Sequence, residues 1–272
     1  MVKQAITDEQ WRFYQEHGYV RLGKLLSDDR LAALRERIDD IMLGKAELDY
    51  DRMLMQIDSE DGAYEKTGPQ TTGHKGSHLN YRKIEQLECD PLFLRYMQSP
   101  IFCDACTRVY GADTPITIMR AMVMNKPAGK GTWLPWHQDA WPRFDVAPLL
   151  TAWMPLDPAT RDNGCVQVIP GSHKRGRINP TQGAGFLTEE QVKQHCPPQD
   201  VVHMTMEAGE VALFHNFLLH ASDVNRSNAP RRAFSVCYMD AATTNRDGTN
   251  YTQVFGSAAL TPEQLAGGSP RQ

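Results

Sequence analysis

The sequence predicts an α+β fold in which a mostly helical N-terminal part precedes an antiparallel β core. Apolar residues recur at helical spacing over much of residues 7–110, whereas short strand-like runs fill roughly residues 115–240. Gly, Pro and Asn separate these runs, as is typical of the turns of a β core. Because the strands follow the helices instead of alternating with them, a double-sheet jelly roll or a barrel is favoured.

The length of 272 residues suits one domain with an ample core. We assign residues 1–112 to the mostly helical part, residues 113–240 to the jelly-roll core and residues 241–272 to a loop and tail. The net charge of −4 and the lack of a long basic stretch disfavour nucleic acid as a partner. No apolar run reaches the ~20 residues of a membrane helix, and the first residues lack a signal-peptide pattern. We therefore expect a cytoplasmic monomer or homodimer.

Capping signals define the helical part. Thr7 with Gln10 three residues later forms a capping-box pattern, and this first helix should end near Gly18. Leucine and isoleucine at helical spacing predict a second helix over residues 28–43. Two more helices should begin near prolines, in "DPLFLRYM" and "PIFCDACTRVYG". The lone CxxC pattern in the last of these supports a zinc site only weakly.

Between the helices lies a glycine-rich polar segment. Residues 58–82 are long for a structureless loop, and both a lid and a disordered segment fit the pattern. Further on, the strand candidates are "ITIMRAMVMN", "LLTAWMPLD", "GCVQVIPGS", "EVALFHNFLLHAS" and "RRAFSVCYMD". Asn163-Gly164 between two of these predicts a type I′ hairpin turn.

The stretch "WHQD" suggests a metal site. On a strand, His137 and Asp139 would face the same way, offering one nitrogen and one carboxylate oxygen. A histidine from another strand would complete the 2-His-1-carboxylate triad of non-haem Fe(II) oxygenases. His215 and His220 both qualify. We favour His220, because it stands at a strand end beside Ser222, whereas His215 lies in an apolar run.

The next strand adds an arginine. By alternation, Arg231 shares a face with the small residues Ala233, Ser235 and Cys237, which leave room for a ligand. An arginine there can hold a carboxylate through two parallel hydrogen bonds, and it is costly to bury without a partner. His220, Ser222 and Arg231 thus form one predicted metal-binding and anion-binding unit. The alternative is that Arg231 and Arg232 are exposed turn charges.

These motifs together resemble the phytanoyl-CoA dioxygenase family of Fe(II)/2-oxoglutarate oxygenases. The matching pieces are "HGYVRL", "WHQD", "LLTAWMPLD", "NGCVQVIPGSH" and "HASDVNRSNAPR", in the family's order over about residues 12–240. The resemblance implies a double-stranded β-helix (jelly-roll) core with helices packed on one side. It also implies Fe(II) as the metal, 2-oxoglutarate as cosubstrate and O₂ as oxidant.

The resemblance also assigns roles to individual residues. His137, Asp139 and His220 match the iron ligands, which would also be the catalytic residues. Cosubstrate residues would be Arg231 at the distal carboxylate, Ser222, Trp153, Gln138 and Asn125, although simple strand alternation puts Asn125 opposite to Arg120 and Met124. The carboxylate of Asp139 favours hydroxylation over halogenation, since related halogenases replace it by a small residue.

The expected activity is hydroxylation of an unactivated C–H bond of a small polar or anionic metabolite, with release of succinate and CO₂. Arg120 either points into the core to bind the substrate or points outward to pair with an acid. Trp141, Arg143 and His78 are the other candidate substrate residues. Two alternatives stay open: a degenerate member of the fold that binds without turnover, and a zinc-dependent hydrolase.

Overall fold

The protein is described here by a computed structural model of residues 5–266. Its helices are α1 (Asp8–His17), α2 (Asp28–Met42), α3 (Pro91–Met97), α4 (Pro100–Tyr110), α5 (Glu189–His195) and α6 (Pro262–Ala266). Its strands are β1 (Tyr19–Lys24), β2 (Leu54–Ile57), β3 (Thr71–Thr72), β4 (Tyr81–Glu85), β5 (Ile116–Lys126), β6 (Leu134–His137), β7 (Leu150–Pro155), β8 (Val166–Val168), β9 (Val202–His203), β10 (Glu210–His215), β11 (His220–Ser222), β12 (Arg231–Asp240) and β13 (Thr252–Phe255).

The strands form two antiparallel sheets. The large sheet has the order β1-β10-β7-β12-β5-β4-β2-β3, with β13 also paired to β5. The small sheet has the order β6-β11-β8-β9. Since β5 and β12 pair along almost their full length, they form the centre of the large sheet and define its two faces.

Helices cover one face of the large sheet, and the small sheet covers the other. On the helical side, one buried cluster joins α2, α3 and α4 to alternate residues of β12, namely Phe234, Val236 and Tyr238. On the opposite side, Val166 and Val168 of β8 pack with residues of the large sheet. The large sheet is thus buried on both faces, and the space between the two sheets is where a ligand can be enclosed.

The helix boundaries predicted from capping signals are confirmed. Thr7 caps α1 through the predicted capping box with Gln10, and Gly18 ends the helix in the left-handed region at φ 80°. A side chain at Gly18 would also meet the His173 ring at 2.5 Å, so only glycine fits. The α2 helix buries its predicted apolar stripe, including Leu34 and Ile38.

The sequence-based expectations for two segments need correction. The segment around residues 58–82 includes β3 and the start of β4, and with β2 it extends the large sheet, because β4 pairs with the edge that β5 presents. The region after residue 241 includes β13 and α6, so it is not only loop and tail. Residues 267–272 of that predicted tail lie outside the described residues.

The Asn163-Gly164 turn is not a type I′ hairpin turn. A type I′ turn needs positive φ at both central residues, and of this pair only Gly164 has it, at 75°. The flanking strands β7 and β8 belong to different sheets, so no hairpin joins them. A Cβ at position 164 would approach the Asp223 carbonyl oxygen to 2.2 Å, which explains the glycine.

Among residues 5–266, no helix is both long enough and apolar enough to cross a bilayer.

Candidate active site

The candidate site is a cavity between the two sheets. Side chains of β5, β7 and β12 line it from the large sheet, and side chains of β6, β8 and β11 line it from the small sheet. Eight of the predicted site residues are among those that line it: Arg120, His137, Asp139, Trp141, Trp153, His220, Ser222 and Arg231. The cavity therefore unites residues that are more than a hundred positions apart in the sequence.

Two histidines and one aspartate converge at one point of the cavity wall. His137 ends β6, His220 begins β11, and these two residues are directly paired across the strands. Their ring centroids are 4.0 Å apart. One possible ligand atom from each of His137, Asp139 and His220 lies within 4.8 Å of the other two. This arrangement fits a single metal ion bound by two imidazoles and one carboxylate.

Backbone contacts fix which ring nitrogen of each histidine is available. Nδ1 of His137 lies 2.8 Å from the Pro135 carbonyl oxygen, and Nδ1 of His220 lies 3.0 Å from the Leu218 carbonyl oxygen. A carbonyl oxygen only accepts, so Nδ1 carries the proton in both rings. The lone pair is then on Nε2, because a carbonyl oxygen that accepts the proton of Nδ1 fixes this tautomer in a metal-binding histidine.

Asp139 is held from two sides. It lies two residues beyond the end of β6, where strand alternation no longer fixes its direction. Its backbone N–H donates to the Asn216 carbonyl oxygen at 2.8 Å. Nη2 of Arg120 donates to its two carboxylate oxygens at 3.3 and 3.5 Å. Arg120 thus points into the cavity, as one of the two predictions had it, and its guanidinium also lies 4.8 Å from the centre of the Trp141 ring.

The electrostatic surroundings favour the protonation states that a metal requires. Burial, assisted by the nearby His220, lowers the pKa of His137 to about 3. Burial alone would raise the pKa of Asp139, but the Arg120 guanidinium and the two imidazoles outweigh it and bring that pKa below its usual range. Near neutral pH, His137 is therefore neutral and Asp139 is ionised, as metal ligands must be.

His215 lies outside this group. It ends β10 in the large sheet, whereas His220 belongs to the small sheet, because the chain crosses between the sheets at residues 216–219. Nδ1 of His215 accepts the Phe217 N–H at 3.0 Å, and the ring lies 5.0 Å from that of His173. The preference for His220 over His215 thus agrees with the geometry.

Arg231 is a buried cation beside the three ligands. It is 2% exposed, and in the described part of the chain no Asp or Glu forms an ion pair with it. Its Nη2 donates to the Gly164 carbonyl oxygen at 3.2 Å, its Nε has no hydrogen-bond partner, and its guanidinium lies 5.8 Å from the Trp153 ring centre. Burial lowers the pKa of Arg231 to about 10, against the opposing influence of Cys165 and Asp157. Such a cation is the expected partner of a ligand anion.

Two predicted cosubstrate residues are placed elsewhere. The amide of Gln138 donates to the carbonyl oxygens of Gly176 and Phe217 and accepts the Ile178 N–H, all at 2.7–2.8 Å. Gln138 is therefore fully occupied in holding loops together. Asn125 faces away from the cavity, as strand alternation indicated, and donates to the Leu79 and Tyr81 carbonyl oxygens. Neither residue lines the cavity.

Of the three remaining predicted substrate residues, one lines the cavity and two do not. Trp141 is buried and lines the cavity beside Arg120. Arg143 lies outside it, with its guanidinium 4.9 Å from the Phe144 ring centre. His78 also lies outside it, stacked on Tyr81 at 5.0 Å and accepting the Asn80 N–H.

Several cavity residues were not predicted from the sequence, most of them because they lie in the polar segment that was interpreted as a loop. They are Gln56, Tyr64, Gln70, Arg82 and Lys83, together with Phe186 from a second loop. Lys83 forms a partly buried ion pair with Glu85 at 2.6 Å. The signal that could have found Arg82 and Lys83 is "YRKIE", in which apolar and basic residues occur together at strand length, whereas no comparable signal marks the other four.

A family model described as phytanoyl-CoA dioxygenase matches residues 14–233. The matched span includes the three candidate ligands and Arg231. The chain belongs to the phytanoyl-CoA dioxygenase family. The resemblance that the motifs indicated is thereby confirmed.

Similar sequences carry the same family description. A probable phytanoyl-CoA dioxygenase of Caenorhabditis elegans is 28% identical over 273 residues, which cover 96% of this chain and 81% of the relative. The peroxisomal phytanoyl-CoA dioxygenase of Rattus norvegicus is 29% identical over 240 residues, which cover 85% of this chain and 67% of the relative.

Solved structures of the same fold extend the comparison. EctD from S. alaskensis in its apo form has a TM-score of 0.68 and 22% identity, covering 92% of this chain and 83% of its own. SnoK, a non-haem α-ketoglutarate-dependent carbocyclase from nogalamycin biosynthesis, has a TM-score of 0.64 and 22% identity, covering 92% and 90%. At these identities, the similarity shows that this chain has the same fold as the two solved structures.

Proposed function

We propose that this protein is a non-haem Fe(II)/2-oxoglutarate-dependent dioxygenase that hydroxylates an unactivated C–H bond of a small polar or anionic metabolite. The observation that carries the proposal is the position of Arg231 in the same cavity as His137, Asp139 and His220. Arg231 is buried, and no Asp or Glu of the described residues forms an ion pair with it. A metal site alone would fit many activities. The arginine adds the need for an anion inside the same cavity, which a dicarboxylate cosubstrate meets.

The two facing antiparallel sheets are consistent with a double-stranded β-helix, or jelly roll, with helices on one side. Such a fold supplies the rigid scaffold that an active site needs. We place the metal at the end where β6 and β11 meet. The cosubstrate would lie between this point and the start of β12, where Arg231 stands.

The cavity residues would bind either the metal or the cosubstrate. His137 and His220 would bind Fe(II) through Nε2, and Asp139 would bind it through a carboxylate oxygen. Arg231 would hold the distal carboxylate of 2-oxoglutarate, with the Ser222 hydroxyl beside it and the Trp153 ring against it. The bound iron and cosubstrate supply O₂ activation, with succinate and CO₂ as products.

Arg120 and Trp141 would shape the metal surroundings. Because Arg120 contacts the Asp139 carboxylate, it fixes that ligand's orientation and offsets its charge. This contact makes Arg120 a positioning residue and leaves it less available for a substrate anion. Trp141 shields the pair from solvent and, at the cavity wall, is a surface for the substrate to pack against.

The carboxylate at position 139 favours hydroxylation over halogenation, since it fills the position that a halide would need. A zinc-dependent hydrolase on the same histidines gives Arg231 no role. A member of the fold that binds without turnover would not need all three metal ligands together with an arginine that lacks an ion-pair partner. A cytoplasmic location, a monomeric or homodimeric state and the absence of nucleic-acid partners remain predictions from the sequence.

The proposal predicts that turnover depends on the ligand set. Purified protein with Fe(II), ascorbate, O₂ and 2-oxoglutarate should release succinate, and His137→Ala should lower the rate at least 100-fold by removing an iron ligand. His203→Ala is the matched control, because His203 lies on β9 outside the cavity. Equal succinate release by His137→Ala and the wild type would sink the proposal.

A further inference from the structure

A second buried arginine lines the same cavity and has no assigned role. Arg82 on β4 is 7% exposed, and its guanidinium lies 5.0 Å from the centre of the Tyr64 ring. Its Nη1 donates to the amide oxygen of Gln56 at 2.8 Å. This is its only hydrogen bond within the described residues. Gln56 therefore holds the guanidinium through Nη1, while Nε and Nη2 have no acceptor among the described residues.

No acid neutralises Arg82 directly. None of the Asp or Glu residues that the structure describes forms an ion pair with it. The one carboxylate named among the charges that act on Arg82 is that of Asp58, which already accepts hydrogen bonds from the N–H and hydroxyl of Thr132 and from the Ser59 N–H. A buried guanidinium held by one neutral amide is costly, unless an anion joins it at some stage.

The positive charge of Arg82 and Arg231 also affects a neighbouring lysine. The ammonium of Lys126 is buried, and its Nζ donates to the Thr132 carbonyl oxygen. Burial lowers the pKa of Lys126 far below its usual range, and the charges of Arg231 and Arg82 lower it further, against the opposing influence of Asp58 and Asp223. One ligand anion at Arg231 would leave Arg82 without a directly bound anion, with only the more distant charge of Asp58 to offset it.

A continuous aromatic wall connects Arg82 to the iron ligands. The Tyr64 ring, which lies against the guanidinium, is 5.4 Å from the Phe186 ring, and the Phe186 ring is 5.4 Å from that of His137. All four residues line the same cavity. A molecule anchored at Arg82 can therefore extend along this wall with its apolar part on the rings and reach the metal position.

We propose that Arg82, oriented by Gln56 and Tyr64, binds a carboxylate of the primary substrate. This subsite is separate from the one that Arg231 provides for the cosubstrate, and it rests on the proposed function. The free edge formed by Nε and Nη2 matches the two oxygens of a carboxylate in parallel hydrogen bonds. The substrate class is thus a carboxylic acid with a short apolar segment between its carboxylate and the carbon that is oxidised.

The other arginines near the cavity are less suitable. Arg120 already contacts both oxygens of Asp139. Arg143 lies outside the cavity, against Phe144. Arg82 is the arginine of the three that combines burial, a fixed orientation and a free donor edge.

The test uses chemically matched pairs of small probes. Propionate, butyrate and hexanoate, each with its primary amide, are titrated by calorimetry into the anaerobic holoenzyme loaded with Fe(II) and saturating 2-oxoglutarate. The wild type should bind at least one acid ten-fold or more tightly than its amide. Arg82→Gln should lose this preference, Arg82→Lys should keep part of it, and Arg30→Gln should keep all of it, because Arg30 is exposed on α2.

A further variant covers the case in which Arg82→Gln does not fold. Gln56→Glu leaves Arg82 in place but sets a carboxylate against it, so this variant too should lose the preference for acids. The same preference in wild type and Arg82→Gln, or no preference in the wild type, overturns the subsite. The iron–cosubstrate charge-transfer band is recorded in each titration. Its absence before any probe is added contradicts the proposed function itself, whereas its loss on addition of acid shows competition at Arg231 and overturns the separate subsite.

Discussion

Arg231 and Arg232 are adjacent on β12, yet their surroundings are opposite. Arg232 faces the helices and donates to both oxygens of Asp157, at 2.8 Å each, and also to Asp39. These acids outweigh the effect of burial and raise its pKa. Arg231 faces the cavity, meets no acid in the described part of the chain, and has its pKa lowered by burial to about 10. Arg232 therefore stabilises the fold through its ion pairs, whereas the donors of Arg231 face the cavity.

The difference shows how a charge that stabilises the protein can be distinguished from a charge that serves function. A structural arginine has its carboxylates within the chain, because an unpaired buried charge lowers stability. An arginine whose donors remain open in a cavity lowers stability until a ligand binds. Arg82 belongs with Arg231 in this respect, since its single hydrogen bond goes to the neutral Gln56.

The largest effect should come from removing the structural arginine. Arg232→Met leaves Asp157 and Asp39 without their cation, and we expect a loss of about 3–5 kcal/mol in the free energy of unfolding. Arg231→Met is the matched control. Since it removes a buried cation without an acid partner, it should leave the stability of the ligand-free protein unchanged or raise it. Denaturant titration of both variants measures the contrast, and equal losses would remove the distinction.

A smaller effect concerns buried imidazoles. Burial, with a contribution from His173, lowers the pKa of His215 to about 4, well below the ~6.5 of an exposed histidine. The unfolded chain therefore takes up a proton that the folded protein does not, and stability falls as the pH drops from 6.5 towards 4. Between pH 6.5 and 5.5, His215→Gln should lose about 1 kcal/mol less than the wild type. Identical pH dependence in denaturant titrations would show that His215 is not responsible.

The sequence predicted the parts of the site that strand pattern and local spacing control. The strands β5, β7 and β12 and the caps of α1 follow from periodicity and end signals, and the structure agrees with them. His137 and Asp139 could be proposed from their spacing of two, and His220 from its position at a strand end beside Ser222. The inward direction of Arg231 followed from alternation along β12.

What the sequence could not give depends on contacts between distant segments. Gln138 lies between two predicted ligands, but only the positions of the Gly176, Ile178 and Phe217 backbone show that its amide is fully occupied. The strands of residues 54–85 form because β5 offers an edge for pairing, which the polar, glycine-rich sequence does not reveal. The contact between Arg120 and Asp139 likewise arises from tertiary structure.

The central claim is that Arg231 holds a cosubstrate carboxylate beside an iron bound by His137, Asp139 and His220. The most direct measurement is the visible charge-transfer band formed when 2-oxoglutarate is added to the anaerobic Fe(II) protein. We expect the band in the wild type. Arg231→Met should need at least ~30-fold more 2-oxoglutarate, because the loss of a buried charge-assisted contact costs about 2–5 kcal/mol. A band that forms in Arg231→Met at wild-type 2-oxoglutarate concentrations would contradict this account.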